Sequence, residues 1–154
     1  MKKCLKFLAV VICAAFTLCF TQCTKGPEDL IIGSWVVEYT ETTQTYDGET
    51  EIEHETPAEG EQVVITFNKD LSMTIEETKV VDGTTHTDIS RGTYLITDNT
   101  ITMTVVDEDD DEEAPQTLNI DLLNKKEMTL SASDSGSFGT HTYSITIKIQ
   151  MKRK

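Results

Sequence analysis

The sequence predicts an all-β domain, specifically an eight-stranded antiparallel up-and-down meander barrel. Apolar and polar residues alternate with a period of two, as in Tyr143 to Met151, which is typical of strands with one buried face. The connections that can be recognised are tight, turn-forming segments. No amphipathic helix separates the strands, and parallel strands need long crossover connections, so the sheet is predicted to be antiparallel.

The first 22 residues have the pattern of a secretory signal peptide. Lysines at positions 2, 3 and 6 precede an apolar run from Phe7 to about Phe20, and a basic start followed by an apolar run is typical of such signals. The run is shorter than the ~20 residues that a transmembrane helix needs. A permanent membrane span remains an alternative if cleavage fails.

All four cysteines lie within the first 23 residues, so the domain that follows is predicted to fold without disulfides. Cys23 lies just after the apolar run, where a bacterial lipoprotein is cleaved and acylated. We therefore predict lipid attachment at Cys23, through chains such as palmitate, and a membrane anchor in the cell envelope, at the outer membrane. The alternative is ordinary cleavage near Ala14-Ala15, which would release a soluble secreted protein.

Residues 23–30 are predicted to be a lipidated tether, because Gly26 and Pro27 interrupt regular structure. The barrel domain is predicted over 31–152. Its strands are placed near 33–44, 61–68, 71–81, 87–97, 100–107, 116–123, 126–132 and 140–152. Turns are predicted at Asn68-Lys69-Asp70, Asp82-Gly83, Asp98-Asn99 and Asn124-Lys125, and longer loops near 45–60, 107–115 and 133–139.

Sequential strands joined by tight turns can form two main architectures, a closed barrel or a two-sheet β-sandwich. Closure removes the unpaired edges of the sheet, whereas a sandwich usually needs longer Greek-key connections. The tight turns favour the barrel, and the sandwich remains the alternative.

The charge of the chain excludes several classes of partner. The whole chain carries a formal net charge of −14, from 13 basic and 27 acidic residues. The leader holds three of the basic residues and no acid, which leaves −17 for the rest. Nucleic acids and anionic membrane surfaces both require basic patches, so neither is expected as a partner. Repulsion between copies favours a monomer.

The sequence contains no motif of a known catalytic site, so we expect no enzymatic activity, no cofactor and no metal. His54 lies between Glu53 and Glu55, and the acidic run 107–113 offers alternate carboxylates. The first could form a weak metal site and the second a calcium site, but no glycine shapes the run as a calcium loop. Solvated acidic loops are the preferred interpretation of both segments.

Three short motifs resemble the lipocalins, and most closely the short lipocalin-like lipoproteins of the Bacteroidetes. They are Gly33-Ser34-Trp35, Gly92-Thr93-Tyr94 and Glu127-Met128-Thr129-Leu130. The resemblance implies that Trp35 closes one end of the barrel. It also implies an arginine stacked on that ring, for which Arg153 is the candidate. The alternative for Arg153 is a free basic tail.

The resemblance further implies a non-catalytic binding module that holds a small apolar ligand in the barrel interior. The candidate ligand-binding residues, all at inward positions, are Trp35, Phe67, Tyr94, Met103 and Tyr143. The alternative is a filled barrel that acts as a scaffold and contacts a protein partner at the cell envelope through loops 45–60 and 107–115. The interior volume distinguishes the two, since eight strands leave room for side chains or for one small ligand.

Overall fold

The computed structural model describes residues 26–106 and 114–154. These residues form one short helix and nine strands. The helix is α1 (Pro27–Ile31). The strands are β1 (Gly33–Tyr46), β2 (Glu49–Glu55), β3 (Gln62–Phe67), β4 (Ser72–Val81), β5 (Thr84–Thr97), β6 (Thr100–Val106), β7 (Gln116–Leu123), β8 (Glu127–Phe138) and β9 (His141–Arg153). The predicted signal peptide, Cys23 and the acidic run 107–113 lie outside the described residues.

Eight of the strands form a closed antiparallel barrel, as predicted. β1 pairs with β3, each strand from β3 to β9 pairs with the next, and β9 pairs with β1 to close the circle. The additional strand is β2, which pairs with β1 alone. The barrel prediction is therefore confirmed, and the sandwich alternative is wrong.

The two parts of β1 pair with different strands. Its first part, Gly33–Val36, pairs with β3, and its second part, Thr40–Tyr46, pairs with β2. β9 follows β1 from Trp35 to Tyr46, with a register shift between Val37 and Tyr39. Beyond that irregularity a four-stranded ribbon extends from the barrel. Its strands, in order, are β2, β1, β9 and β8.

The buried core occupies the end of the barrel at which β1 begins. The turns 68–71, 98–99 and 124–126 lie at this closed end, and α1 covers it. The opposite, open end carries the turns 47–48, 82–83 and 139–140. The side chains with at most 1% exposure are Ile31, Trp35, Phe67, Met73, Ile101, Met128, Leu130 and Met151. The core therefore fills the closed end, where each of the eight barrel strands contributes an inward apolar residue.

The structure corrects three of the predicted boundaries. Residues 49–55 form β2 rather than part of a loop, residues 133–138 continue β8, and residues 27–30 of the predicted tether belong to the helix α1 rather than to an irregular segment. β2 has a fully exposed Glu-Thr-Glu-Ile-Glu-His-Glu sequence with no apolar face, so alternation of apolar residues could not reveal it. Pro27 stands at the start of α1, where its fixed φ suits the first helical turn.

Within residues 26–106 and 114–154, no helix has the length and apolar character required to cross a membrane.

Candidate functional site

The closed end of the barrel is sealed by Trp35 and Arg153. The Trp35 indole is completely buried, and its Nε1 donates a hydrogen bond of 2.7 Å to the Ile31 carbonyl. The Arg153 guanidinium lies over the indole ring, with Cζ 4.3 Å from the centroid. The same guanidinium donates hydrogen bonds to the main-chain carbonyls of Leu30, Ile32 (2.8 Å) and Lys125 (3.0 Å). The predicted stacking of Arg153 on Trp35 is confirmed, and the free-tail alternative is wrong.

Four of the five predicted ligand residues belong to the filled half of the barrel. Trp35, Phe67 and Tyr94 are 0%, 1% and 5% exposed. The rings of Phe67 and Tyr94 meet edge to face at 4.9 Å, and Met103 is paired with Tyr94 across β5 and β6. Within this cluster the side chains pack against one another, so a ligand would have to displace them.

Tyr94 also carries a polar group into this packed region. Its hydroxyl donates a hydrogen bond of 2.7 Å to the Asn68 carbonyl in the turn between β3 and β4. Burial, and to a smaller degree the charge of Asp70, raises the pKa of Tyr94 above its ordinary value. The hydroxyl therefore stays protonated at neutral pH and acts as a structural donor.

The inward side of β9 is buried at the closed end and exposed towards the open end. Met151 is buried in the core and Ile149 is half-buried. Alternate residues of a strand share a face. Ile147, Ile145 and Tyr143, which lie nearer the open end, therefore point to the same side as Met151 and Ile149. They are 40%, 36% and 39% exposed. The fifth predicted ligand residue, Tyr143, therefore lies on an open surface, apart from the other four.

Two further aromatic residues extend this surface across the neighbouring strands. Tyr46 on β1 is paired with Tyr143 and is 58% exposed, and Phe138 at the end of β8 is 87% exposed. Tyr143 lies against Gly136 of β8, where a Cβ atom would stand 2.7 Å from the tyrosine hydroxyl oxygen. We call Tyr46, Phe138, Tyr143, Ile145 and Ile147 the open-end face.

A column of carboxylates on β2 borders the open-end face. Glu49, Glu51, Glu53 and Glu55 are paired in register with Tyr46, Gln44, Thr42 and Thr40, so they point to the same side of the ribbon as the apolar residues of β9. None of the four has an ion-pair partner within the described part of the chain. All are exposed to solvent.

His54 of β2 lies on the opposite side of this strand. It contacts Glu41 at 3.8 Å and the Tyr39 ring edge at a centroid distance of 6.0 Å. Alternation along the strand separates it from Glu53 and Glu55, so these three side chains cannot converge on one ion. Within residues 26–106 and 114–154, no group of His, Cys, Asp or Glu side chains is arranged to hold a metal.

The tips of two hairpins are joined at the rim of the open end. Asp47, in the β1–β2 turn, accepts a hydrogen bond of 2.8 Å from the Thr142 amide and contacts the His141 imidazole through its other oxygen. That imidazole stacks on Tyr46, with ring centroids 5.6 Å apart and planes 16° apart. The hydrogen bonds with His141 and, secondarily, with Thr142 lower the pKa of Asp47. Sequence reasoning missed this contact because 94 residues separate the pair.

A cleft of about 500 Å³ lies beside the ribbon, where β1 leaves β3 and joins β2. Its lining includes Val37, Thr40, Glu55 and Val63. Another cleft, of about 410 Å³, lies at the closed end between α1 and the β3–β4 turn, against Leu71 and the outer edge of the core. The first cleft borders the ribbon, and its lining includes Val37, Thr40 and Glu55 from the inward side as well as His54 from the opposite side.

The chain is similar to proteins described as lipocalin-like. Residues 31–130 match the family described as "Lipocalin-like domain". A solved structure of a lipocalin-like protein from Bacteroides uniformis is similar at 15% sequence identity, with 84% of this chain and 100% of that chain covered and a TM-score of 0.48. No curated protein sequence matches the chain.

Proposed function

The chain belongs to the family of lipocalin-like domains, and from that premise we propose that it is a non-catalytic binding module that holds a small apolar molecule on the open-end face. The observation that carries the proposal is the exposure of Tyr143, Ile145 and Ile147. These side chains continue the inward apolar column of the barrel beyond the point at which the core ends. Apolar surfaces of this kind, bordered by polar residues, mark interaction sites.

The open half of the molecule is a better ligand site than the closed half. A ligand among Trp35, Phe67 and Tyr94 would have to break their mutual packing and the Tyr94 hydrogen bond. On the open-end face the same ligand would cover side chains that water already contacts. Each Å² of apolar surface removed from water contributes about 25 cal/mol, so binding there gains burial without an opposing cost in the core.

We further propose that the protein is anchored in the cell envelope through a lipidated Cys23, at the outer membrane. The described chain begins at Gly26, beside α1 at the closed end. The three residues from Cys23 to Gly26 can span only about 11 Å. An anchor at Cys23 therefore holds the closed end near the bilayer, and the open-end face points away from it.

A matched pair of variants tests the binding proposal. Ile145→Thr removes an apolar side chain from the open-end face, whereas Ile52→Thr makes the same change on the outer side of β2, where Ile52 is 56% exposed. We expect a fluorescent apolar probe to bind the wild-type protein and Ile52→Thr equally, and Ile145→Thr several-fold more weakly. Equal binding by the wild type and both variants, or no binding by the wild type, would refute a ligand site on this face.

A second candidate function is supported by the filled core. If the barrel is a scaffold, the exposed residues of β2 and the open-end face contact a protein partner at the cell envelope. Crosslinking in cells, with a photoreactive group at position 52 or at position 145, distinguishes the two functions. A reproducible envelope protein crosslinked at either position supports the scaffold, and its absence at both favours the small ligand.

A further inference from the structure

We infer that the molecule bound by the open-end face is a small cationic amphiphile, an amine attached to an apolar ring or chain. This inference rests on the proposed function and specifies its ligand class. It follows from the order in which charged, polar and apolar side chains are arranged across the inward side of the ribbon.

The strand register produces the same sequence of side chains at successive levels of the ribbon. Across β2, β1 and β9, Glu51 is followed by Gln44 and Ile145, and the next level is Glu53, Thr42 and Ile147. Neighbouring strands are about 4.8 Å apart, so the carboxylate column runs about 10 Å from the apolar column. An amine attached to an apolar group of ordinary size can contact both columns at once.

The charges of the ribbon favour a ligand with positive charge. Glu49, Glu51, Glu53 and Glu55 repeat at every second position of one strand, about 7 Å apart, and like charges at this separation repel one another. Asp134 adds a carboxylate on the other side of the apolar column, because β8 pairs it with Ile145. A cationic ligand relieves this repulsion, whereas an anionic ligand increases it.

The nearby basic side chains do not neutralise this column. Lys148 and Lys152 lie on the outer side of β9, where they pair with Glu41 at 3.5 Å and Glu38 at 3.7 Å. Lys79, on the hairpin of β4 and β5, pairs with Glu77 at 2.7 Å. Lys148 and Lys79 are thus already engaged with carboxylates outside β2.

The glutamates of β2 suit its position at the edge of the sheet as well as a cationic ligand. Inward-pointing charged side chains discourage an edge strand from pairing with other chains. In β2 every carboxylate points inward, and the outward positions hold Thr50, Ile52 and His54. The same carboxylates are available to a cationic ligand, because they share one side of the ribbon with the apolar column of β9.

The cleft of about 500 Å³ adds concave space at the base of the carboxylate column. Glu55 lines it together with Val37 and Val63, so a carboxylate and two apolar side chains meet there. The same combination of charge and apolar surface therefore occurs both on the ribbon and in the adjoining cleft.

The test uses three probes with one apolar group and different charges: 1-naphthylmethylamine, 1-naphthylmethanol and 1-naphthoate. Each is titrated calorimetrically into the full chain held in nanodiscs of zwitterionic lipid, with empty nanodiscs as the blank. We expect the amine to bind about tenfold more tightly than the alcohol, and the carboxylate to bind most weakly. Raising the salt concentration should weaken binding of the amine and leave that of the alcohol unchanged, because salt screens exposed charges.

A double variant assigns the charge preference to β2. Glu51→Gln with Glu53→Gln keeps the side-chain shape and removes two charges, and Glu76→Gln on the outer side of β4 is the matched control. The double variant should lose most of the preference for the amine while its affinity for the alcohol stays the same. Equal binding of amine and alcohol, or an unchanged preference in the double variant, would overturn the inference and leave the binding function standing. If none of the three probes binds, both fail.

Discussion

The guanidinium of Arg153 lies 4.3 Å above the centre of the Trp35 indole, and the glycine of the first motif makes this contact possible. A Cβ atom at Gly33 would stand 2.5 Å from Nη1 of Arg153. Gly33 also has a φ of +127°, in the region that favours glycine. The Gly-x-Trp pattern thus reflects the packing of Gly33 and Trp35 against Arg153, which joins the start of β1 to the end of β9.

Removal of the Arg153 side chain should destabilise the closed end strongly. Arg153→Ala loses the stacking on Trp35 and leaves the carbonyls of Leu30, Ile32 and Lys125 without their donor. We expect the free energy of unfolding to fall by about 2–4 kcal/mol, as measured by urea denaturation. Lys154→Ala, which changes an exposed neighbouring basic residue, is the control. An equal effect of both substitutions would contradict the role assigned to Arg153.

Gly92 of the Gly-Thr-Tyr motif should tolerate no side chain. A Cβ atom there would overlap the carbonyl oxygen of Thr104 on the paired strand β6. Gly92→Ala must therefore push β5 and β6 apart, and we expect a loss of about 1–3 kcal/mol in unfolding free energy. Thr93→Ala, at the exposed neighbouring position, is the control in the same thermal denaturation experiment. A variant as stable as the wild type would show that the strands separate freely at this point.

The contact between Asp47 and His141 should make stability depend on pH. The pKa of Asp47 is lower in the folded protein than its ordinary value of 3.8. Its contribution to stability is therefore present above about pH 4 and is lost as the pH falls through the folded pKa. In urea denaturation, Asp47→Asn should be less stable than the wild type at pH 6, and the difference should shrink below pH 4. A difference that stays constant from pH 6 to pH 2.5 would contradict this linkage.

Lipid attachment is expected at Cys23 and at no other cysteine. The mature protein from a bacterial host should have the mass of the chain from Cys23 onward plus a diacylglyceryl group and an amide-linked acyl chain. Cys23→Ala should lack that added mass. Acylation retained in the Cys23→Ala protein would refute the assignment.

The alternation of apolar residues made most of the barrel predictable. Periodicity predicts that Phe67 of β3 and Tyr94 of β5 point inward, and both are buried, because a barrel strand must bury one face against the others. The same principle fails for β2, which has no buried face. It also fails for the end of β8, whose Ser-Asp-Ser-Gly-Ser sequence resembles a loop although it continues to pair with β9.

The candidate site was only partly predictable for the same reason. Trp35, Phe67, Tyr94 and Met103 were expected to line a ligand cavity, since they are inward and large, but periodicity cannot show whether inward side chains leave space between them. The structure shows that they fill the closed end. Of the five residues, only Tyr143 lies on the surface that remains open.

The sequence by itself determined the fold class and the phase of most strands, because both follow from local patterns of apolar residues and turns. The tertiary structure decided which distant residues lie together, because their positions depend on pairing between strands far apart in the sequence. It placed the carboxylates of β2 and the apolar residues of β9 on one side of a ribbon, since both strands pair with β1. It also brought Arg153 to Trp35 across 118 positions of sequence. Such relationships depend on register and closure, which no short segment of the chain specifies alone.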